Sequence, residues 1–252
     1  MADDSARMIT ATLARSPIFK GLPPESLVEL TTHTTPFTVP VGSILWQQGD
    51  EPLDLVVVQS GLLCEFQPSR SGRRSVLHLK GPPHVVGDIA IFDRRPHLAS
   101  AEALRESVIL AIPAEPVVAL AASSMLLTHN VVLQFAAHVR VLAEQRTDLM
   151  ILDLARRVAK ALLRLARPSD PMTVDIGVTV LANLAGGARQ SVSAVLSRLE
   201  RRGWLVLEPG RILLVDVPAL HRYAGLAPTP PAEASTVGAS RQGDCQGRIA
   251  ST

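Results

Sequence analysis

Between Phe37 and Pro113 the apolar positions come in short runs divided by turn residues. Leu53 to Val58 is apolar and β-branched, Gln59-Ser60-Gly61 breaks it, and Leu62-Leu63-Cys64-Glu65-Phe66 follows. Glycines at 42, 49, 61, 72 and 81 recur at intervals of 7 to 12 residues. Strand-forming runs cut at such even spacing predict an antiparallel roll or barrel. Arg70-Ser71-Gly72-Arg73 predicts a hairpin tip, and Pro23-Pro24-Glu25-Ser26-Leu27 predicts the start of a short helix.

The period then changes. From about Ser124 to Met150 there is neither proline nor glycine, which predicts one long helix. Val131, Phe135, His138, Leu142, Gln145, Leu149 and Leu152 fall at alternating steps of four and three, the spacing of a coiled-coil seam. The first six of these are the candidate dimer interface, with His138 and Gln145 as polar interruptions; a structural role is expected for His138. Asp153 is placed to cap a further helix, Leu154 to Ala166, with Leu154, Val158, Ala161, Leu162 and Leu165 on one face. Pro168-Ser169-Asp170-Pro171 ends it.

The stretch from Leu181 to Val192 carries the most information. A short apolar helix ends at Gly186-Gly187, where one glycine can take positive φ and turn the chain. A second helix then runs from about Ala188 to Arg202, with Val192, Val195, Leu196 and Leu199 inward. Arg189, Gln190, Ser191 and Ser193 stay on its other faces, at the end that recognition helices set against base edges. Arginine there can donate two hydrogen bonds to guanine, and glutamine can pair in the same way with adenine. Two apolar runs around Glu208-Pro209-Gly210-Arg211 then predict a hairpin, the wing, with Arg211 near its tip. Helix, glycine turn, helix and wing together predict binding to double-stranded DNA.

Charge sharpens this picture. The net charge is only +2, yet residues 1–149 carry 12 basic and 15 acidic groups whereas 150–226 carry 11 and 6. All but one of those 11 basic residues are arginine, which suits phosphate contact. Apolar residues make up 47% of the chain, enough for a packed core, but no uninterrupted apolar run reaches the roughly 18 residues of a membrane span. The acidic start has no signal-peptide run, so a soluble cytoplasmic protein is expected. Two cysteines, Cys64 and Cys245, are too few for a four-thiolate centre and read as one buried and one solvated thiol. No metal, haem or other cofactor is expected. No nucleophile triad, phosphate loop, metal-spaced histidine pair or carboxylate dyad is present at a workable spacing, so the chain does not read as an enzyme. Residues 227–252 are rich in proline, alanine, serine, threonine and glycine and read as a disordered tail.

Four blocks resemble the CRP/FNR superfamily of bacterial regulators over roughly residues 15–226. They are Gly42 to Asp50, Gly87-Asp88-Ile89-Ala90-Ile91-Phe92-Asp93, Ile151-Leu152-Asp153, and Gly186 to Leu196. The resemblance implies an α+β fold with an N-terminal double-stranded β-roll of the cyclic-nucleotide-binding type. A long dimerisation helix and a C-terminal winged helix-turn-helix follow. It divides the chain into a sensor (1–123), a dimer helix with hinge (124–152), a winged domain (153–226) and the tail. It also implies a homodimer on palindromic sites, with RNA polymerase as a partner.

Gly87, Asp88, Ile89 and Ala90 are the implied effector pocket, but its usual contacts are altered. The family's nucleotide binders follow the cassette with Arg-Ser or Arg-Thr; here His97-Leu98 stand in those places, and Asp88 is shorter than the usual glutamate. A mostly neutral imidazole is a poor substitute for a guanidinium. Leu142-Ala143 occupy the dimer-helix positions where cyclic-AMP sensors carry hydroxyls. Control by something other than cyclic AMP in the usual pose is expected: another ligand such as a cyclic dinucleotide, a protein partner, or no effector. A nucleotide sensor acting through protein contacts is the competing reading. Arg189 keeps the family's base-reading position, while Gln190 and Ala194 replace an acid and a second arginine, so an altered half-site is expected.

Overall fold

The computed structural model describes residues 2–70, 74–167 and 171–225. The expected hairpin tip at 71–73, the break at 168–170, Cys245 and the tail lie outside the described residues. Two helices lead, α1 (Ala2–Arg15) and α2 (Pro24–His33), and proline opens the second, where its missing N–H costs nothing. Eight strands follow: β1 (Thr35–Val39), β2 (Ile44–Trp46), β3 (Asp54–Ser60), β4 (Leu63–Pro68), β5 (Arg74–Lys80), β6 (Val85–Val86), β7 (Ser100–Ala103) and β8 (Ser107–Pro113). The short helix α3 (Asp88–Asp93) sits between β6 and β7.

The strands form two antiparallel four-stranded sheets, ordered β1-β8-β3-β6 and β2-β7-β4-β5. Successive side chains on a strand point to opposite faces, and the first sheet uses both. Val56, Val58 and Ile109 join Leu63, Ala101 and Ala103 of the second sheet in the roll interior. Leu55, Val57, Leu110 and Ile112 face outward and are covered by Leu13, Phe19 and Leu30 of the N-terminal segment. Being buried on both faces is why β3 reads as an unbroken apolar run.

Next come α4 (Ala114–Ser123) and α5 (Met125–Ile151). The Ser124 hydroxyl caps α5 by accepting from the Leu127 N–H at 3.3 Å. By length and composition α5 is the one helix among the described residues that could cross a membrane. Here it lies on the roll, burying Leu127 and Val131 and holding polar contacts to β5 and α3.

The C-terminal unit is α6 (Leu154–Leu165), β9 (Met172–Val174), α7 (Val178–Ala185), α8 (Arg189–Arg201), β10 (Leu205–Glu208), β11 (Arg211–Leu214) and α9 (Val217–Ala224). Asp153 caps α6 by accepting from the Arg156 N–H at 2.9 Å. The hairpin β10–β11 gains β9 as a third strand. The core of this unit runs through Val158, Leu162, Leu181, Leu196 and Leu220, and Leu62 and Leu79 of the roll pack against it. On the other side, Leu184 of α7 packs beside Cys64, Phe66 and Val76 of β4 and β5. The Cys64 thiol is sealed there, and burial pushes its pKa up to about 12.

Candidate nucleic-acid interface and effector pocket

The turn between α7 and α8 is built by two glycines with different tasks. Gly186 ends α7 at φ 66°, a region open to glycine at little cost. Gly187 has no such φ, but a Cβ there would lie 2.6 Å from Leu154 Cδ1, so a side chain would have to push Leu154 of α6 aside. Arg157 of α6 pins the turn: its Nε donates to Ala185 O at 2.8 Å and its Nη1 to Leu152 O at 2.7 Å.

So seated, α8 buries Val192, Val195, Leu196 and Leu199 and leaves Arg189, Gln190, Ser191 and Ser193 exposed. Its N-terminus at Ala188 has no side-chain cap, so the first-turn N–H groups are open to an outside acceptor. Arg211 also lies on the surface, at the start of β11, but it is engaged: its Nε donates to Asp175 Oδ1 at 2.8 Å. Asp175 gathers two more arginines, Arg167 and, from the roll, Arg105, each at 3.6 Å. The composition of the C-terminal segment could not reveal that one carboxylate neutralises part of its arginine excess.

The four cassette residues line one cavity, and it is small. Gly87 takes φ 82° and opens α3. Around Gly87, Asp88, Ile89 and Ala90 the structure adds Glu65, His78, His97, Leu98 and His138, lining a cavity of about 30 Å³. That is about a tenth of the roughly 300 Å³ at which small-molecule sites begin.

Protein side chains fill the rest. Lys80, only 7% exposed, bonds His138 Nε2 through its Nζ at 2.9 Å. Glu65 pairs with His78 Nδ1 at 3.4 Å, and Gln134 of α5 donates to Asp88. His97 stacks on Trp46 with ring centroids 4.3 Å apart and planes 13° from parallel.

The charges follow from this packing. Burial raises the Asp88 pKa, against the opposing pull of Lys80 and Gln134. Glu65 is half-buried, and its desolvation is outweighed by the bond from His78 and the charge of Lys80, which hold its pKa below the usual value. His138 drops to about 4 through burial and the neighbouring Lys80 and His78, and burial lowers His97 as well. Lysine has only donors, so His138 accepts through Nε2 and its neutral ring carries the proton on Nδ1, where it has no partner. A phosphate entering this space would meet two carboxylates and one committed lysine.

The expected dimer stripe divides. Val131 is buried in the core shared with α1, α2 and the roll, and His138 faces Lys80 and His78. Gln145, seven residues on, is half-buried on the same side. Phe135 meets Phe92 edge-on with centroids 6.1 Å apart, while Leu142 and Leu149 are exposed. Val132 and Val139, which the sequence pattern did not single out, are exposed beside them. Sequence reasoning also passed over Glu65, Lys80, Gln134 and Asp175. Glu65 left a trace as the one charge inside an apolar strand; the others had none.

Residues 36–124 match the cyclic nucleotide-binding domain family, and 156–223 match the Crp-like helix-turn-helix domain family. The cyclic AMP receptor protein of Thermus thermophilus is 34% identical over 214 residues, covering 84% of this chain and 99% of that one. A CRP-like cAMP-activated global transcriptional regulator of Mycobacterium tuberculosis is 28% identical, covering 84% and 98%. FixK2 of Bradyrhizobium japonicum shares the fold at a TM-score of 0.70 and 19% identity, over 77% of this chain and 98% of that one. A CRP-family regulator of Thermus thermophilus does so at 0.65 and 24%, over 76% and 97%. With a nucleotide-binding-type roll, a long connecting helix and a Crp-like winged unit in one chain, and a receptor-class relative matched along nearly its whole length, this protein belongs to the CRP/FNR superfamily of transcriptional regulators.

Proposed function

We propose that this regulator is a cytoplasmic homodimer that binds inverted repeats in DNA, contacts RNA polymerase there, and works without cyclic AMP in the usual pose. The carrying observation is α8: one face is fully buried, and Arg189, Gln190, Ser191 and Ser193 are presented together at its uncapped end. In this reading Arg189 takes guanine in the major groove, Gln190 takes adenine, and the serines and first-turn N–H groups hold phosphates. Arg211 of the wing adds a backbone contact once it leaves Asp175. The division into sensor 1–123, dimer helix 124–152 and winged domain 153–226 is part of the same proposal.

The partner copy covers the free side of α5. Thr128, Val132, Phe135, Val139, Leu142, Arg146 and Leu149 repeat at steps of four and three along it. An apolar groove of about 290 Å³ between α5 and α3, lined by Ile89, Phe92, Val139 and Leu142, continues that face. This seam shares Phe135, Leu142 and Leu149 with the one expected from sequence and replaces Val131, His138 and Gln145.

For the effector, the closed cassette supports the reading. Leu98 brings no hydroxyl, Asp88 is tied to Gln134, and among the described residues no guanidinium lines the cavity. Selection from random DNA is expected to return an inverted repeat with half-sites one helical turn apart, about 34 Å. Arg189→Ala is expected to weaken binding by about 1–3 kcal/mol and relax one base pair in each half-site. Only unspecific, salt-labile binding, or an unchanged motif in the variant, would overturn the assignment.

A further inference from the structure

A larger cavity lies on the other side of the Trp46–His97 stack. It measures about 720 Å³ and opens between the two sheets near the 47–54 loop. That volume is within the roughly 300–1,000 Å³ range of small-molecule sites. Val39, Val56 and Ile109 supply its apolar floor, and they belong to the roll interior. Phe37, Ile44 and Leu53 stand at its mouth and are all exposed. Exposed apolar residues scattered singly are ordinary, but three around one cavity form a patch.

The polar lining has one sign. Asp50, Glu51 and Asp54 border the cavity, and among the described residues no lysine or arginine does. One Asp50 oxygen accepts from the Gln47 N–H at 2.8 Å. Glu51 and Asp54 have no hydrogen bond or ion pair to a side chain among the described residues.

The second sign of a ligand is His97. It is 5% exposed and lines this cavity, yet among the described residues neither ring nitrogen has a hydrogen-bond partner. A neutral imidazole offers one acceptor nitrogen and one N–H. Burial favours that neutral form, against the charges of Glu65 and Asp50. The ring is held by Trp46 on one side, and its Cε1 lies 3.2 Å from where a Gly87 side chain would begin.

We propose that this cavity is a second ligand site of the β-roll, separate from the cassette, and that it takes a small organic cation with an apolar or aromatic body. The body fills the space between Phe37, Ile44, Leu53 and Ile109. The ammonium donates to the free His97 nitrogen and lies within the field of Asp50, Glu51 and Asp54. An anion of the same shape meets the same walls and is repelled.

The test uses the full chain with methyl-labelled isoleucine and leucine, titrated with 1-naphthylmethylammonium, 1-naphthylacetate and 1-naphthalenemethanol. The cation is expected to bind saturably and shift the methyls of Ile44, Leu53 and Ile109. The acetate is expected to bind at least about tenfold more weakly, the scale of a few charge pairs near a wet surface. Paired Glu51→Gln and Asp54→Asn changes should bring the cation close to the neutral alcohol. His97→Phe keeps a ring on Trp46 and should weaken the cation several-fold while leaving the alcohol unchanged. Equal affinity for cation and anion, shifts confined to other methyls, or no saturable binding would overturn the proposal. So would shifts at these three methyls caused by dilution alone, or by removing residues 226–252, because the occupant would then be a second copy or the chain's own end. Binding is read at the cavity itself, so failure here leaves the DNA-binding proposal standing.

Discussion

Replacing Lys80 with methionine isolates the network that closes the cassette. The ammonium is buried, bonds His138 Nε2 at 2.9 Å, and draws down the pKa of both Glu65 and Asp88. Methionine preserves most of the volume and removes the charge. Losing one member of a buried ionic cluster costs about 3–5 kcal/mol, because the remaining charges keep their desolvation penalty. Asp88, already pushed up by burial, can escape part of that by taking a proton, so about 3 kcal/mol at pH 7 is the expected loss.

The pH dependence carries the discriminating sign. Glu65 has a folded pKa below its ordinary 4.5, so its stabilisation is fully present above that value and is lost as pH falls through the folded pKa. The deficit of the Lys80→Met protein should therefore be largest near neutrality and shrink as pH falls, because without the lysine charge the variant's carboxylates take up protons at a higher pH than the wild type's. Denaturant unfolding from pH 4 to 8, at fixed protein concentration, measures this directly. A deficit under about 1 kcal/mol at pH 7 would place Lys80 among ordinary surface substitutions and refute the network. A deficit of the same size at both ends of the range would leave only lost packing.

Val139→Glu sets like charges across the proposed seam and should give monomers by sedimentation, while Val131→Ala should keep the dimer and cost about 2 kcal/mol of stability. Monomers from the second variant, or dimers from the first, would restore the other register. Asp175→Asn removes the carboxylate that holds Arg211, and should raise DNA affinity and steepen the log–log salt dependence by about one unit. An unchanged slope would mean that Arg211 never meets a phosphate. Calorimetry should find no micromolar binding of cyclic AMP, whereas His97→Arg with Leu98→Ser should create some; tight binding by the unaltered protein would refute the reading of the cassette.

The roll, the long helix and the winged unit were legible because each rests on local rules. Glycine-cut β-branched runs, a stretch without proline or glycine, and a Gly-Gly turn before an amphipathic helix leave marks within a short window. The leading helix α1, strand β9 and helix α9 lacked such marks and were missed. The seam shows how far periodicity reaches. Positions 131, 138 and 145 and positions 132, 139 and 146 make interleaved heptads that share 135, 142 and 149, and composition barely separates them. Only the position of the roll against α5 decides which set is free. The His97-Leu98 replacement in the cassette was legible, but what fills the space was not, because Glu65, Lys80, Asp88 and His138 are far apart in the chain and meet only in the fold. Likewise Asp175 reaches Arg105 over 70 residues of sequence.

The packing of Leu184 beside β4 and β5, with Leu62 and Leu79 against the C-terminal core, bears on how target sites are found. In a homodimer of the proposed kind, two reading heads set into their sensors hold a fixed distance and phase. One base pair added between half-sites moves the second by 3.4 Å and turns it by roughly 34–36° around the duplex. A pliable tether would absorb that error; a shared apolar core resists it. Such a molecule is a gauge as well as a reader, and a promoter could silence its site by a single insertion without altering any base that Arg189 touches.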